Sequence, residues 1–144
     1  MRYAQNIDFL LASIIYLGSH DYYWARSPKN MAEELSLDEE RLKNVFNGFP
    51  GIYRRSLRKA NNGQHYYALQ ARYAQKKGGD VSDPEEVFYI DPLDTTKLQL
   101  LITFVLQSAE QERTSRRAFV TNFISITAAI IAAMAAVATA ILKA

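Results

Sequence analysis

The apolar pattern of this chain changes period once, at Pro50-Gly51, and that change limits the folds open to it. Before the break, apolar side chains recur at helical spacing. Residues 7–18 place Ile7, Leu10, Leu11, Ile14, Ile15 and Leu17 on one face, and Gly18 is a stop signal. Ser27-Pro28 supplies an N-cap and a first-turn proline, which predicts a second helix running to Leu37. Asp38 caps a third, whose Leu42, Val45, Phe46 and Phe49 point inward and whose first-turn acids suit the positive end of the helix. After the break, IYRRSLRKA and QHYYALQARYA flank Asn61-Asn62-Gly63, and Asn-Gly is the strongest short hairpin signal. The expected class is α+β, three short helices and then a hairpin.

Charge is distributed as unevenly as periodicity. The 17 Lys and Arg nearly balance the 15 Asp and Glu of the 144 residues, yet residues 41–79 contain no carboxylate and nine basic side chains. Residues 1–40 and 80–112 are acidic, so the hairpin carries a concentrated positive charge between two negative blocks. There is no cysteine and there are two isolated histidines, which leaves no thiolate chemistry and no metal site to expect. Neither a nucleophile–base pair nor a phosphate loop is present, so catalysis and a cofactor are not expected either.

The stretch MAEELSLDEERLKNVFNGFPGIYRRS, followed by NNGQHYYALQARYA, resembles a winged helix-turn-helix domain over about residues 5–75. That resemblance implies paired helices leading into a β-hairpin wing, and domains of this kind bind DNA, RNA or other proteins. The candidate nucleic-acid contacts are Arg41, Lys43, Asn44 and Asn47 on the third helix and Arg54, Arg55, Arg58, Lys59 and His65 on the wing. The wing has the charge to meet phosphate. The third helix begins Asp38-Glu39-Glu40, which repels phosphate where base contacts usually arise, so charge-led binding is favoured over sequence reading.

Beyond the domain at 1–75, residues 76–93 read as an acidic flexible linker, 94–117 as a stalk helix with Leu98, Leu101, Ile102, Val105 and Leu106 at helical spacing, and 118–142 as a transmembrane helix. The last assignment rests on the absence of charge between Arg117 and Lys143, a helix of about 37 Å. Arg113, Arg116 and Arg117 before the run predict a single pass with the N-terminal domain in the cytoplasm, at a cell inner membrane. Thr121, Ser125, Ala128, Ala132, Ala136 and Thr139 form a stripe of small and hydroxyl residues, the type through which membrane helices self-associate into a homo-oligomer.

Two functions fit this layout. One is a small transmembrane effector of a bacterial antiviral defence-type system, in which the cytoplasmic domain receives a nucleic acid or a partner protein encoded alongside it and the membrane helices assemble. The other is a membrane-tethered nucleic-acid-binding transcriptional regulator.

Overall fold

The structure, a computed structural model, describes residues 2–75 and 90–143, with side chains described as far as Phe119. It is α+β, and the described residues form five helices and three strands. Two compact units divide the chain, Met1–Ala109 and Glu110–Ala144.

Helix α1 (Ile7–Ser19) buries Phe9, Leu10, Ser13, Ile14 and Leu17. A two-residue strand β1 (Ala25–Arg26) follows, then α2 (Pro28–Leu35) and α3 (Glu39–Gly48). Both helix starts are capped as their sequences dictate. The Ser27 Oγ accepts from the Asn30 amide at 3.4 Å and Asp38 Oδ1 from the Arg41 amide at 2.7 Å, each satisfying a backbone donor that the helix leaves open. Helix α2 stops two residues before Leu37 because Ser36 turns left-handed at φ 53°, a conformation for which glycine is the usual sequence signal.

Strands β2 (Tyr53–Lys59) and β3 (His65–Leu69) form the antiparallel hairpin, and β1 pairs with the other side of β3, giving the order β1-β3-β2. Among the described residues strand β2 is therefore a sheet edge. Gly63 takes φ +78° in the connecting turn, the positive value that makes Asn-Gly a turn sequence. The returning strand is shorter than its apolar pattern predicts. Residues Gln70–Tyr73 make a helical turn, α4, where the pattern continued as strand.

The core lies where α1, α3 and the sheet meet. The Phe46 ring sits 4.7 Å from that of Tyr53 and 4.8 Å from that of Tyr67, and at 1% exposure it contributes about 1.5–3 kcal/mol by burial. Tyr53 also places its hydroxyl 2.6 Å from Ser13 Oγ, and Ser13 donates in turn to the Phe9 carbonyl at 2.6 Å. Burial pushes the Tyr53 hydroxyl well above the usual phenol range, with the Ser13 hydrogen bond opposing the shift.

The core does not end at residue 75. Residues 76–89 of the expected linker lie outside the described residues, but Ile90 and Leu93 are buried. The Leu93 amide donates to the Gly18 carbonyl at 2.8 Å, and a Cβ on Gly18 would stand 2.7 Å from Leu98 Cδ1, so glycine is what allows this approach. Buried Arg72 donates from Nη1 to the Leu17 carbonyl at 2.7 Å and from Nη2 to the Ile90 carbonyl at 2.7 Å. These contacts hold the start of α5 (Thr95–Lys143), whose Val105 and Ala109 are buried, on the same domain.

One expectation is overturned. Among the described residues no helix is long and apolar enough to cross a membrane, which corrects the transmembrane helix expected over 118–142. Residues 118–144 include ten alanines, which are only marginally apolar. The backbone at Thr121, Ser125, Ala128, Ala132, Ala136 and Thr139 is helical, and their side chains lie outside the described ones.

Candidate nucleic-acid interface

Strand β2 collects the cations. Because it is an edge, only one of its sides is paired, and Arg54, Arg55, Arg58 and Lys59 are all exposed. None of the four forms an ion pair with a described residue, as expected of a segment embedded in a region without carboxylates. The Arg54 guanidinium lies over the Tyr73 ring at 4.0 Å, which orients it without neutralising it.

The strand is not regular. Arg55 pairs with Tyr67 and Lys59 with His65, so β2 takes four steps where β3 takes two. The excess forms a bulge at Ser56, Leu57 and Arg58. Ser56 Oγ accepts from the Arg58 amide at 3.1 Å, and His65 Nδ1 stands 2.9 Å from the Ser56 carbonyl oxygen. His65 is thus half-buried inside the hairpin as a brace, rather than displayed with the cations.

The turn is fastened to the helices. Asn62 Nδ2 donates to Ser27 Oγ at 3.1 Å and to Asn30 Oδ1 at 3.3 Å, while Gln64 Nε2 donates to Glu39 Oε1 at 2.5 Å and Gln64 Oε1 accepts from the Lys29 amide at 3.0 Å. One amide side chain thereby grips the start of α2, and the other links α2 to the start of α3.

The α3 candidates separate into different roles. Arg41 turns back to α1, where Nη2 meets the Gln5 carbonyl at 2.8 Å and Asp8 Oδ1 at 3.2 Å and the guanidinium covers the Phe9 ring at 4.2 Å. It joins two helices while its side chain stays partly exposed. Lys43 pairs with Glu40 at 3.7 Å, which cancels its charge locally. Asn47 accepts from the Tyr67 hydroxyl at 2.7 Å through Oδ1. Asn44 is exposed, and its side chain has no hydrogen bond to a described residue. The net contribution of α3 to positive potential is small.

No family model, no curated protein and no solved structure matches the chain.

One exposed residue escaped the sequence pattern. Counting from buried Tyr53 by strict alternation puts Leu57 on the core side of β2, yet it is 97% exposed and lies at the register shift between Arg55 and Lys59. A signal was present in principle, since a leucine between two pairs of cations is unusual company for a core position.

Proposed function

We propose that residues 2–75 form a winged helix-turn-helix module that binds duplex DNA through the phosphate backbone, with β2 as the principal contact. The observation that carries this reading is the row Arg54, Arg55, Arg58 and Lys59, exposed on a sheet edge with no carboxylate among the described residues to neutralise it. Four phosphate contacts would release counterions and give binding that weakens steeply with salt. Supporting the module assignment are the order α1, β1, α2, α3, β2, β3 and the clasp from the hairpin turn to α2 and α3, which fixes the basic strand relative to the paired helices.

Helix α3 offers Asn44 and little else for base edges, so affinity comes chiefly from the backbone and differs little between unrelated sequences. The effector and tethered-regulator readings both drew on a membrane span, and the described residues give that part no support. Fluorescence anisotropy of the full chain with two unrelated duplexes and a double-stranded RNA of equal length tests the proposal. Similar affinities for the two duplexes at low salt are expected, with weaker binding to RNA. Absence of binding to any of them at low salt would refute it.

A further inference from the structure

Leu57 is the most exposed large apolar side chain on the domain, and it stands in the middle of its most basic strand. Single exposed leucines are ordinary on protein surfaces. Three observations set this one apart. It lies in a bulge that the His65 ring and the Ser56 hydroxyl hold in place, so it projects from a fixed point instead of a loose loop. Among the described residues it lies on an edge strand, with no neighbouring strand beside it. Cations stand on both sides of it, Arg54 and Arg55 before Ser56 and Arg58 and Lys59 directly after.

That arrangement matches one feature of duplex DNA, a narrow groove with phosphates along both rims and the apolar base stack below its floor. In a straight strand the five residues from Arg55 to Lys59 would span about 13 Å, and the bulge shortens this. Arg55 and Lys59, each two residues from Leu57, are then spaced to reach phosphates on opposite rims of a groove about 6 Å wide. We infer that Leu57 is a wedge that enters the minor groove and partly unstacks one base step, bending the duplex. Apolar wedges of this kind bend DNA by about 20–90° towards the major groove, and flexible pyrimidine–purine steps yield most easily. This inference rests on the DNA-binding reading above and adds to it a deformation that phosphate contacts alone do not require. The wedge would also introduce a mild sequence preference, read through deformability at the unstacked step.

The test uses the full chain and a duplex carrying donor and acceptor dyes at its ends, with 2-aminopurine at a central TA step. The native protein is expected to bring the ends together and to raise the 2-aminopurine fluorescence as stacking is lost. Leu57→Ser should bind with an unchanged salt slope but lose both signals, and Leu57→Met, which restores an apolar side chain of similar size, should recover them. Thermal melts of the variants establish that the fold is intact, which is expected because the side chain is 97% exposed. Bending by Leu57→Ser equal to that of the native protein overturns the wedge, as does salt-dependent binding by the native protein with no bend, which would leave the DNA-binding reading standing. No DNA binding at low salt overturns both. Binding to anionic lipid vesicles in place of DNA, lost in Leu57→Ser, would assign the same tip to a lipid surface and overturn the wedge as well.

Discussion

Asn62, in the hairpin turn, donates its side-chain amide to the hydroxyl of Ser27 at 3.1 Å across 35 residues of sequence, joining the turn to the residue that caps α2. One oxygen therefore serves two purposes, completing a helix start and positioning the basic strand. The hairpin is held at its turn as well as at its base, which lowers the entropy lost when β2 meets a ligand.

Removing either end of that clasp should loosen the hairpin. Asn62→Ala is expected to cost about 1 kcal/mol, and Ser27→Ala somewhat more because the cap is lost with it. Denaturant melts of both single variants and the double variant should give a coupling of about 0.5–1.5 kcal/mol. Amide exchange in β2 should accelerate in each. Additive effects would mean that the contact holds nothing.

Arg41 separates the expected interface from the one the fold presents. Its contacts to Gln5, Asp8 and Phe9 are made within the domain. Arg41→Ala is expected to lower stability by about 1 kcal/mol, combining a surface ion pair with a cation–π contact, and to leave the salt dependence of DNA binding unchanged. A salt slope reduced as much as by loss of a β2 cation would return Arg41 to the interface.

Tyr53 makes the domain sensitive to alkali. Its hydroxyl is buried against Ser13 and its ionisation is suppressed in the folded state, whereas in the unfolded chain a tyrosine ionises near pH 10. A pKa raised by folding gives stability that is complete below the unfolded value and is lost as pH rises beyond it. Chemical denaturation between pH 8 and pH 11, values near and above ~10 being the informative ones, should show stability falling at the alkaline end. Tyr53→Phe should cost about 1 kcal/mol at neutral pH and flatten that decline. An equally steep decline in the variant would place the alkaline sensitivity elsewhere.

Local signals in the sequence were sound where they depend on local physics. Ser27 and Asp38 cap α2 and α3, the Asn62-Gly63 pair makes the turn, and Leu42, Val45, Phe46 and Phe49 are buried. What was not legible depends on distant partners. Strand β1 is two residues long and exists only because β3 lies beside it. Residues 70–73 continue an apolar alternation but turn helical, with Arg72 drawn into the interior by the carbonyls of Leu17, Ile90 and Asp91. Leu57 lies at a register shift, past which alternation counted from Tyr53 no longer tells which side a residue faces. The reading of 118–142 as a membrane span is not met by any helix among the described residues. Of the nine nucleic-acid candidates, the four on β2 are exposed together, while Arg41, Asn47 and His65 are tied into the fold.

The salt dependence of duplex binding decides the matter most directly. For the native chain, the logarithm of affinity against the logarithm of salt concentration should fall with a slope of about −0.9 per phosphate contacted. Replacing Arg54, Arg55, Arg58 and Lys59 with Ala should make that slope shallower by about 3.6 if all four meet phosphate, with the thermal melt little changed because the four are exposed. An unaltered slope in the quadruple variant would contradict the assignment of β2 as the DNA-binding surface.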